Sequence, residues 1–292
     1  MNSIIQTQIG IDDILKKMSI IRRKGRVTYT NYYNQCNSFN NKFKVFTSNL
    51  SIAFEWVDLG IKRIYFYSSD MNDLSNVLSL FDSGSVIDYI TKDKEVMSKC
   101  INDAGYKIHL EYGRFFVKPR TGEEEKKMLA LREALNNAYL NEKNVNGNNE
   151  NPNNECFVSY YVGKADVSDA EIIDRQLREE FDVYEAHFYS IEKLKDLISK
   201  GWVWVVKINN DIIAANIFEI QGIKTYGAYL YNRGDLDVLS SLLSSVEQYI
   251  SRLGVKYYYC WMRLSNKKAI RYNMKVNGYA PDGVFDMIYV KG

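Results

Sequence analysis

The sequence predicts an α/β (α+β) protein made of two tandem copies of one unit, each a mixed central sheet flanked by helices, with the first copy truncated or degenerate. Three observations carry that prediction. A strand, loop and helix are written twice, as GIKRIYFY over 60–67 followed by DLSNVLSLF over 73–81, and as GIKTYGAYLY over 222–231 followed by DLDVLSSLL over 235–243. A second landmark follows in the same order: Gly105-Tyr106 leads into a β-rich run over 107–117, and Gly278-Tyr279 into another over 284–290. The chain has 292 residues, room for about two cores of ordinary size. A repeated supersecondary unit constrains the architecture before any single motif is weighed.

In the first copy, residues 11–26 have helical periodicity, and 43–56 fit either a strand or a helix. Residues 60–67 alternate as a strand, the helix after them begins near Asp73, and 107–117 form the closing strand. The landmarks lie 45 residues apart from Gly60 to Gly105 and 56 apart from Gly222 to Gly278. The second copy thus has room for about three more helical turns, placed in the helix after Asp235. Pro119 and Pro152 bracket a segment unlike its surroundings. Residues 121–124 are a capping-box signature, and Met128, Leu131, Leu135 and Tyr139 share one helical face, which predicts a connecting helix. Residues 144–154 are dominated by Asn and predict a flexible linker. The predicted organisation is a first domain over 1–120, a connecting helix and linker over 121–155, and a second domain over 156–292.

The second copy opens with a strand over 157–162, helices over 169–181 and 191–200, and strands over 202–206 and 212–220 joined by a hairpin-type turn at Asn209, Asn210 and Asp211. Residues 225–231 are the next strand. An apolar stripe at Leu239, Leu242, Val246, Ile250 and Leu253 marks a helix closed by Gly254. A strand over 255–261, a helix over 266–276 and a strand over 284–290 complete the order β-α-α-β-β-β-α-β-α-β. Such an order calls for a mixed sheet covered by helices on both faces.

Lys and Arg number 38 against 36 Asp and Glu, a formal charge of +2 with no long run of one sign. That balance argues against a nucleic-acid partner or an acidic membrane surface. The first residues lack a basic head with an apolar stretch, and no segment approaches the ~20 apolar residues of a membrane helix, so a cytoplasmic protein is expected. Cys36, Cys100, Cys156 and Cys260 are too widely spaced for a paired metal motif and too few for a disulfide framework; they read as buried free thiols. His109 and His187, the only histidines, have no His-x-x-x-His or Glu-x-x-His neighbour. No metal site or Ser-His-Asp triad is expected, and each reads as a partly buried loop or strand residue, with the role of a base left open to His187.

The element order, together with the closing stretch SNKKAIRYNMKVNGY over 265–279, resembles the GCN5-related N-acetyltransferase superfamily. That family's closing signature is an Asn, an Ala three residues on, then an aromatic residue, Lys, and Gly before Phe or Tyr; Asn266, Ala269, Tyr272, Lys275 and Gly278-Tyr279 supply those roles, with one extra residue after Lys275. The likeness covers about 156–290, and a weaker copy covers about 40–117. It implies acetyl-CoA or another acyl-CoA as donor, lying between the two central strands. The pantetheine would run along 225–231, against Tyr229, Leu230 and Tyr231, and the pyrophosphate would meet the turn of Asn232, Arg233 and Gly234, with Asn266 capping the last helix.

In that turn the family usually writes a Gln or Arg, two residues, Gly, one residue, then Gly or Ala. Here Gly234 is the only glycine, and Asp235 and Asp237 stand where a doubly charged pyrophosphate would sit. Either aspartate also reads as the N-cap of the following helix, while Arg233 is placed to reach a phosphate. The first copy's turn, 68–73, has no glycine, which implies no coenzyme there. For the transfer of an acyl group to an amine, the resemblance implies Glu219 as base and Tyr272 as acid; Glu219 reads equally as a solvated rim residue, Tyr272 as core. Simple alternation places Tyr229 and Tyr231 on the face of Gly227 and Tyr226 on the other. The tyrosine-rich strands suit a small-molecule or peptide amine as acceptor. Two other readings remain: a binding or regulatory protein without chemistry on the same scaffold, and a relative of the Fem aminoacyltransferases, whose charged transfer RNA needs a basic groove this composition lacks.

Overall fold

A computed structural model describes residues 4–25, 27–33, 42–119, 160–185 and 187–292, with isolated positions between 122 and 134. The predicted connecting-helix face at Met128, Leu131, Leu135 and Tyr139, the Asn-rich stretch 144–154, Cys36 and Cys156 lie outside the described residues.

The first half runs β1 (Ile5–Ile9), α1 (Ile11–Lys24), β2 (Tyr29–Thr30), β3 (Phe43–Thr47), β4 (Ser51–Asp58), β5 (Ile61–Ser68), α2 (Met71–Leu78), β6 (Val86–Thr91), α3 (Lys94–Asp103) and β7 (Tyr106–Val117). The second runs β8 (Tyr161–Lys164), a 3-10 turn at Val167–Asp169, α4 (Ala170–Glu180), α5 (Ile191–Ser199), β9 (Val203–Ile208), β10 (Asp211–Gln221), β11 (Lys224–Asn232), α6 (Leu236–Arg252), β12 (Tyr257–Arg263), α7 (Lys267–Lys275) and β13 (Ala280–Lys291). The repeat is present in the fold: β3-β4-β5-α2-β6-α3-β7 matches β9-β10-β11-α6-β12-α7-β13 element for element. The extra length of the second copy lies where expected, since α6 has 17 residues and α2 has 8.

Residues 43–56, ambiguous in sequence, are two strands of an antiparallel hairpin, β3 and β4, closed by Ser48 N–H donating to Ser51 O at 2.9 Å. The ambiguity has a physical cause. Ile52, Ala53 and Phe54 are all fully buried, so β4 is covered on both faces and shows no polar alternation. The turn between β9 and β10 has Asn209 and Asn210 at φ 50° and 71°, the left-handed pair that a two-residue hairpin turn needs.

All the described strands form one sheet, in the order β1-β3-β4-β5-β6-β13-β7-β12-β11-β10-β9-β8, with β2 beside β5. The two halves exchange their last strands. β13, from the second half, pairs antiparallel with β6 (Met287↔Tyr89), and β7, from the first half, pairs antiparallel with β12 (Phe115↔Cys260). Helices cover both faces of each half. In the first, Ile14, Met18 and Ile21 of α1 pack on Val45, Phe54 and Tyr65, while α2 and α3 pack on Phe46, Phe66 and Ile87 on the other side. That second core takes in Met287 and Tyr289 of the exchanged β13. In the second half, α4 and α5 pack on Val203, Val205 and Ile217, and α6 on Val206, Ala214 and Phe218.

Candidate active site

β11 and β12 run parallel from Lys224↔Tyr257 to Gly227↔Cys260, where their pairing ends. The split follows from a bulge: Gly227 faces Phe218 and Tyr229 faces Ile217, leaving Ala228 as the extra residue. A side chain on Gly227 would place its Cβ 2.4 Å from the hydroxyl of Tyr258, so glycine is required for Tyr258 to sit there. The bulge also corrects the alternation expected from sequence. Gly227 faces Tyr258 in the core under α6, whereas Tyr229 and Tyr231 turn into the core under α4 and α5. Tyr229 lies among Phe181, Phe188 and Tyr189, with ring centroids at 5.1, 6.3 and 5.7 Å. Tyr231 donates its hydroxyl to Gln176, whose amide donates to Ile212 O at 2.9 Å. Ala228 and Leu230 are exposed. Among the described residues no strand pairs with β11 beyond Gly227 on this side, which leaves a strand edge open to an extended ligand.

The turn after β11 is closed on itself. Arg233 N–H donates to Ile213 O at 2.8 Å, and Gly234 N–H to the side-chain oxygen of Asn232 at 3.1 Å. The amide of Asn232 donates to Asp235 O at 2.9 Å. Asp235 is the N-cap of α6, its Oδ1 accepting from the N–H groups of Asp237 and Val238, both at 3.0 Å. Arg233 turns to α4 and pairs with Glu180 at 2.7 Å and Glu179 at 2.8 Å. Burial and the charge of Asp235 push the Asp237 carboxyl up from its ordinary value. The open edge of β11 fits a pantetheine arm; the turn, with these amides bonded and two aspartates in place, does not fit a diphosphate. Asn266 caps α7 by accepting from Ala269 N–H at 3.0 Å.

In the first half the corresponding strands β5 and β6 pair only at Arg63↔Val86, and the gap beyond is filled by the chain itself. β2 lies along β5 there (Thr30↔Tyr67). Asn31, 2% exposed, accepts from Phe66 N–H at 2.8 Å and donates to Ile64 O at 2.9 Å and Asp88 O at 3.0 Å, stitching β5 to β6. Asp70 caps α2 through Asp73 N–H at 2.8 Å.

Glu219 stands opposite Tyr226 on β10, accepts the Tyr189 hydroxyl at 2.7 Å and pairs with Lys193 of α5 at 3.1 Å. Tyr226 stacks on Tyr259 with centroids 5.6 Å apart. Tyr272 lies on α7, half-buried, with its hydroxyl oxygen buried. Glu219 is thus held by groups of the α5 side, and the structure does not join it to Tyr272.

A polar seam that sequence reasoning missed lies where the α4–α5 loop meets the exchanged strands. Glu185 takes a hydrogen bond from Tyr112 of β7 and pairs with Arg263 of β12 at 2.6 Å. Arg63 donates to Tyr184 O at 3.2 Å. His187 lies 3.3 Å from Asp88 and 3.6 Å from Asp58, and His109 lies 2.9 Å from Asp182. Burial alone would lower the His187 pKa, but hydrogen bonds to Asp58 and Asp88 raise it above its ordinary 6.5. Burial, and after it the neighbouring Asp88 charge, push the Asp286 carboxyl well above its ordinary value. No local pattern announces this seam, because Tyr112 and Asp286 reach it only through strand exchange. Cys100 and Cys260 are free thiols, each pushed by burial up to about 12. Among the described residues no cluster of His, Cys, Asp and Glu is arranged to hold a metal, and no helix is long and apolar enough to cross a membrane.

No protein-family model matches the sequence, and no curated protein matches it significantly. Solved structures do. A GCN5-related N-acetyltransferase from Sphaerobacter thermophilus aligns with TM-score 0.55 at 8% identity, over 98% of this chain and 94% of that one. Another from Kribbella flavida aligns with TM-score 0.51 at 8% identity, over 99% of this chain and 70% of that one. A probable N-acyltransferase from Enterococcus faecalis aligns with TM-score 0.50 at 9% identity, over 99% and 73%. At such identities the likeness is one of fold, and it spans both halves. With its splayed central strands, repeated element order and helix-covered mixed sheet, the chain has the fold of the GCN5-related N-acetyltransferase superfamily.

Proposed function

We propose that the protein is an N-acyltransferase whose chemistry resides in the second half, moving an acyl group from a thioester to a small-molecule or peptide amine. The observation that supports this reading is the open edge of β11 at Ala228 and Leu230, beside the point where β12 splits away. Acyl transfer forms a C–N bond and breaks a C–S bond. The ammonium must lose a proton, and the departing thiolate must gain one. Glu219 is the candidate for the first role and Tyr272 for the second. An acyl-CoA would supply the activated thioester through its pantetheine arm, against the β11 backbone at Tyr229, Leu230 and Tyr231, while the closed turn would give its diphosphate no amide donors. The second half is favoured over the first because Asn31 and β2 close the equivalent gap there.

The test is transfer from a panel of acyl-CoA donors to a panel of amines, with free thiol release as readout. We expect transfer by the wild type and at least a tenfold loss in Glu219→Gln. Absence of both transfer and acetyl-CoA binding at millimolar concentration would contradict the proposal. The closed turn around Asp235 favours a second reading, a binding or regulatory protein that has kept the scaffold and lost the chemistry. Detection of any transfer eliminates it.

A further inference from the structure

A strip of aromatic rings crosses the middle of the sheet on the face that carries α4 and α5. Glu219, Tyr226, Tyr259 and Phe116 are successive register partners on β10, β11, β12 and β7, so their side chains share that face. Tyr257 and Trp261 flank Tyr259 at alternate positions on β12 and point the same way. Tyr226 stacks on Tyr259 at 5.6 Å, and Phe116 and Tyr257 lie 5.9 and 6.3 Å from it. All five rings are half-buried, and none belongs to the hydrophobic cores under the helices.

Cations edge the strip. Arg114 lies over Tyr259 and Trp261, at 5.3 and 5.9 Å, and is matched by Asp282 at 2.7 Å. Lys224 lies 6.0 Å over Tyr259 and Lys118 5.9 Å over Tyr257; both are exposed, and neither makes an ion pair among the described residues. The protein's own cations already occupy the ring faces, so a cationic ligand would meet like charge. An aromatic anion is favoured twice, since its ring stacks on the tyrosines and its charge pairs with the two lysines. Two unmatched lysines are too few to track the phosphates of a single-stranded nucleic acid.

We propose that this strip binds a small planar aromatic carboxylate, its ring over Tyr226 and Tyr259 and its carboxylate between Lys118 and Lys224. Lys224 and Tyr257 lie at the N-terminal ends of the parallel strands, and the split lies at the other end, just past Tyr226. The edge of the ring opposite the carboxylate therefore faces the split, next to Glu219. In a step that rests on the acyl-transfer reading, that edge carries the amine, and the acceptor is an aminoaryl carboxylate. Its nitrogen forms the C–N bond and loses a proton, while the C–S bond breaks and the departing thiolate gains one.

Binding is tested apart from transfer by calorimetric titration of the full chain with benzoate, benzamide and cyclohexanecarboxylate, none of which carries an amine acceptor. Benzoate is expected to bind saturably, about fivefold tighter than benzamide, which lacks the charge, and than cyclohexanecarboxylate, which lacks the planar ring. Lys118→Met with Lys224→Met, exposed changes that keep the stems, should remove the preference over benzamide. Tyr226→Leu should remove the preference over cyclohexanecarboxylate. No saturable binding of benzoate, equal affinity for the three probes, or a preference unchanged by the lysine substitutions would overturn the proposal. So would tighter binding of a short single-stranded oligonucleotide, or a dimer that Lys224→Glu dissociates, either of which gives the face to another occupant. 4-Aminobenzoate separates this inference from the reading it rests on: if it binds as benzoate does and accepts no acyl group from any acyl-CoA, the acyl-transfer reading fails and the aromatic site stands.

Discussion

Asp235 does at the start of α6 what a bound anion would otherwise do, satisfying two amide groups with one carboxylate oxygen. Asp235→Ala should lower stability by about 1 kcal/mol, the usual value of an N-cap, as measured by urea denaturation. It should also tighten acetyl-CoA binding, because a charge is removed and two amides are freed. His187 provides a pH-dependent prediction. Its pKa is raised in the folded state, so its contribution to stability is fully present below about 6.5 and is lost as pH rises through the folded value. Asp286, also raised, acts in the same direction. Unfolding free energy should therefore fall as pH is raised above about 6.5, and His187→Gln should flatten that slope. A slope unchanged in the variant would refute the assignment. Residue order narrowed the N-cap of α6 to Asp235 or Asp237, and the structure places it at Asp235. The partners of Glu219 and Arg233 were not readable, because Lys193, Glu179 and Glu180 come from helices that only tertiary packing brings near.

Among the elements, the two copies differ most in what fills the split between their parallel strands. Asn31 makes three hydrogen bonds that replace missing strand pairing between β5 and β6. Asn31→Ala leaves buried backbone groups unmet and should cost about 2–4 kcal/mol, checked by chemical denaturation; a loss below 0.5 kcal/mol on the order of a surface substitution would contradict the role assigned to it. The second-half elements were legible because their strands are bounded by hairpin turns and their helices carry clear caps, such as Ser190 before α5 and Asn266 before α7. α3, which was not predicted from the sequence, carries a comparable signal, with Asp93 as cap and Met97, Cys100 and Ile101 on its buried face. β4 gave no such signal, since burial on both faces erases alternation. The bulge at Ala228 was invisible for a different reason: it is a property of pairing between β10 and β11, not of either strand alone.

For the whole molecule, strand exchange ties the halves into one body. Met287 and Tyr289 of the second half complete the first half's core, and Tyr112 of the first half reaches Glu185 and Arg263 of the second. Unfolding should therefore be a single transition. Trp56 reports on the first half and Trp204 on the second, and variants keeping one tryptophan each should give coincident urea curves. Removal of 280–292 should destabilise both halves; two separated transitions in the intact chain would contradict this. The repeat in the sequence foretold matching units, but the near-identical landmarks Gly105-Tyr106 and Gly278-Tyr279 carry no mark of which half each closing strand joins.

The central claim is that the second half presents an open strand edge for an extended thioester donor while the first half's is closed. Backbone hydrogen exchange with and without millimolar acetyl-CoA tests it most directly. The account predicts slowed exchange over 228–232 and no change over 64–68. Protection over 64–68, or none over 228–232, would contradict it.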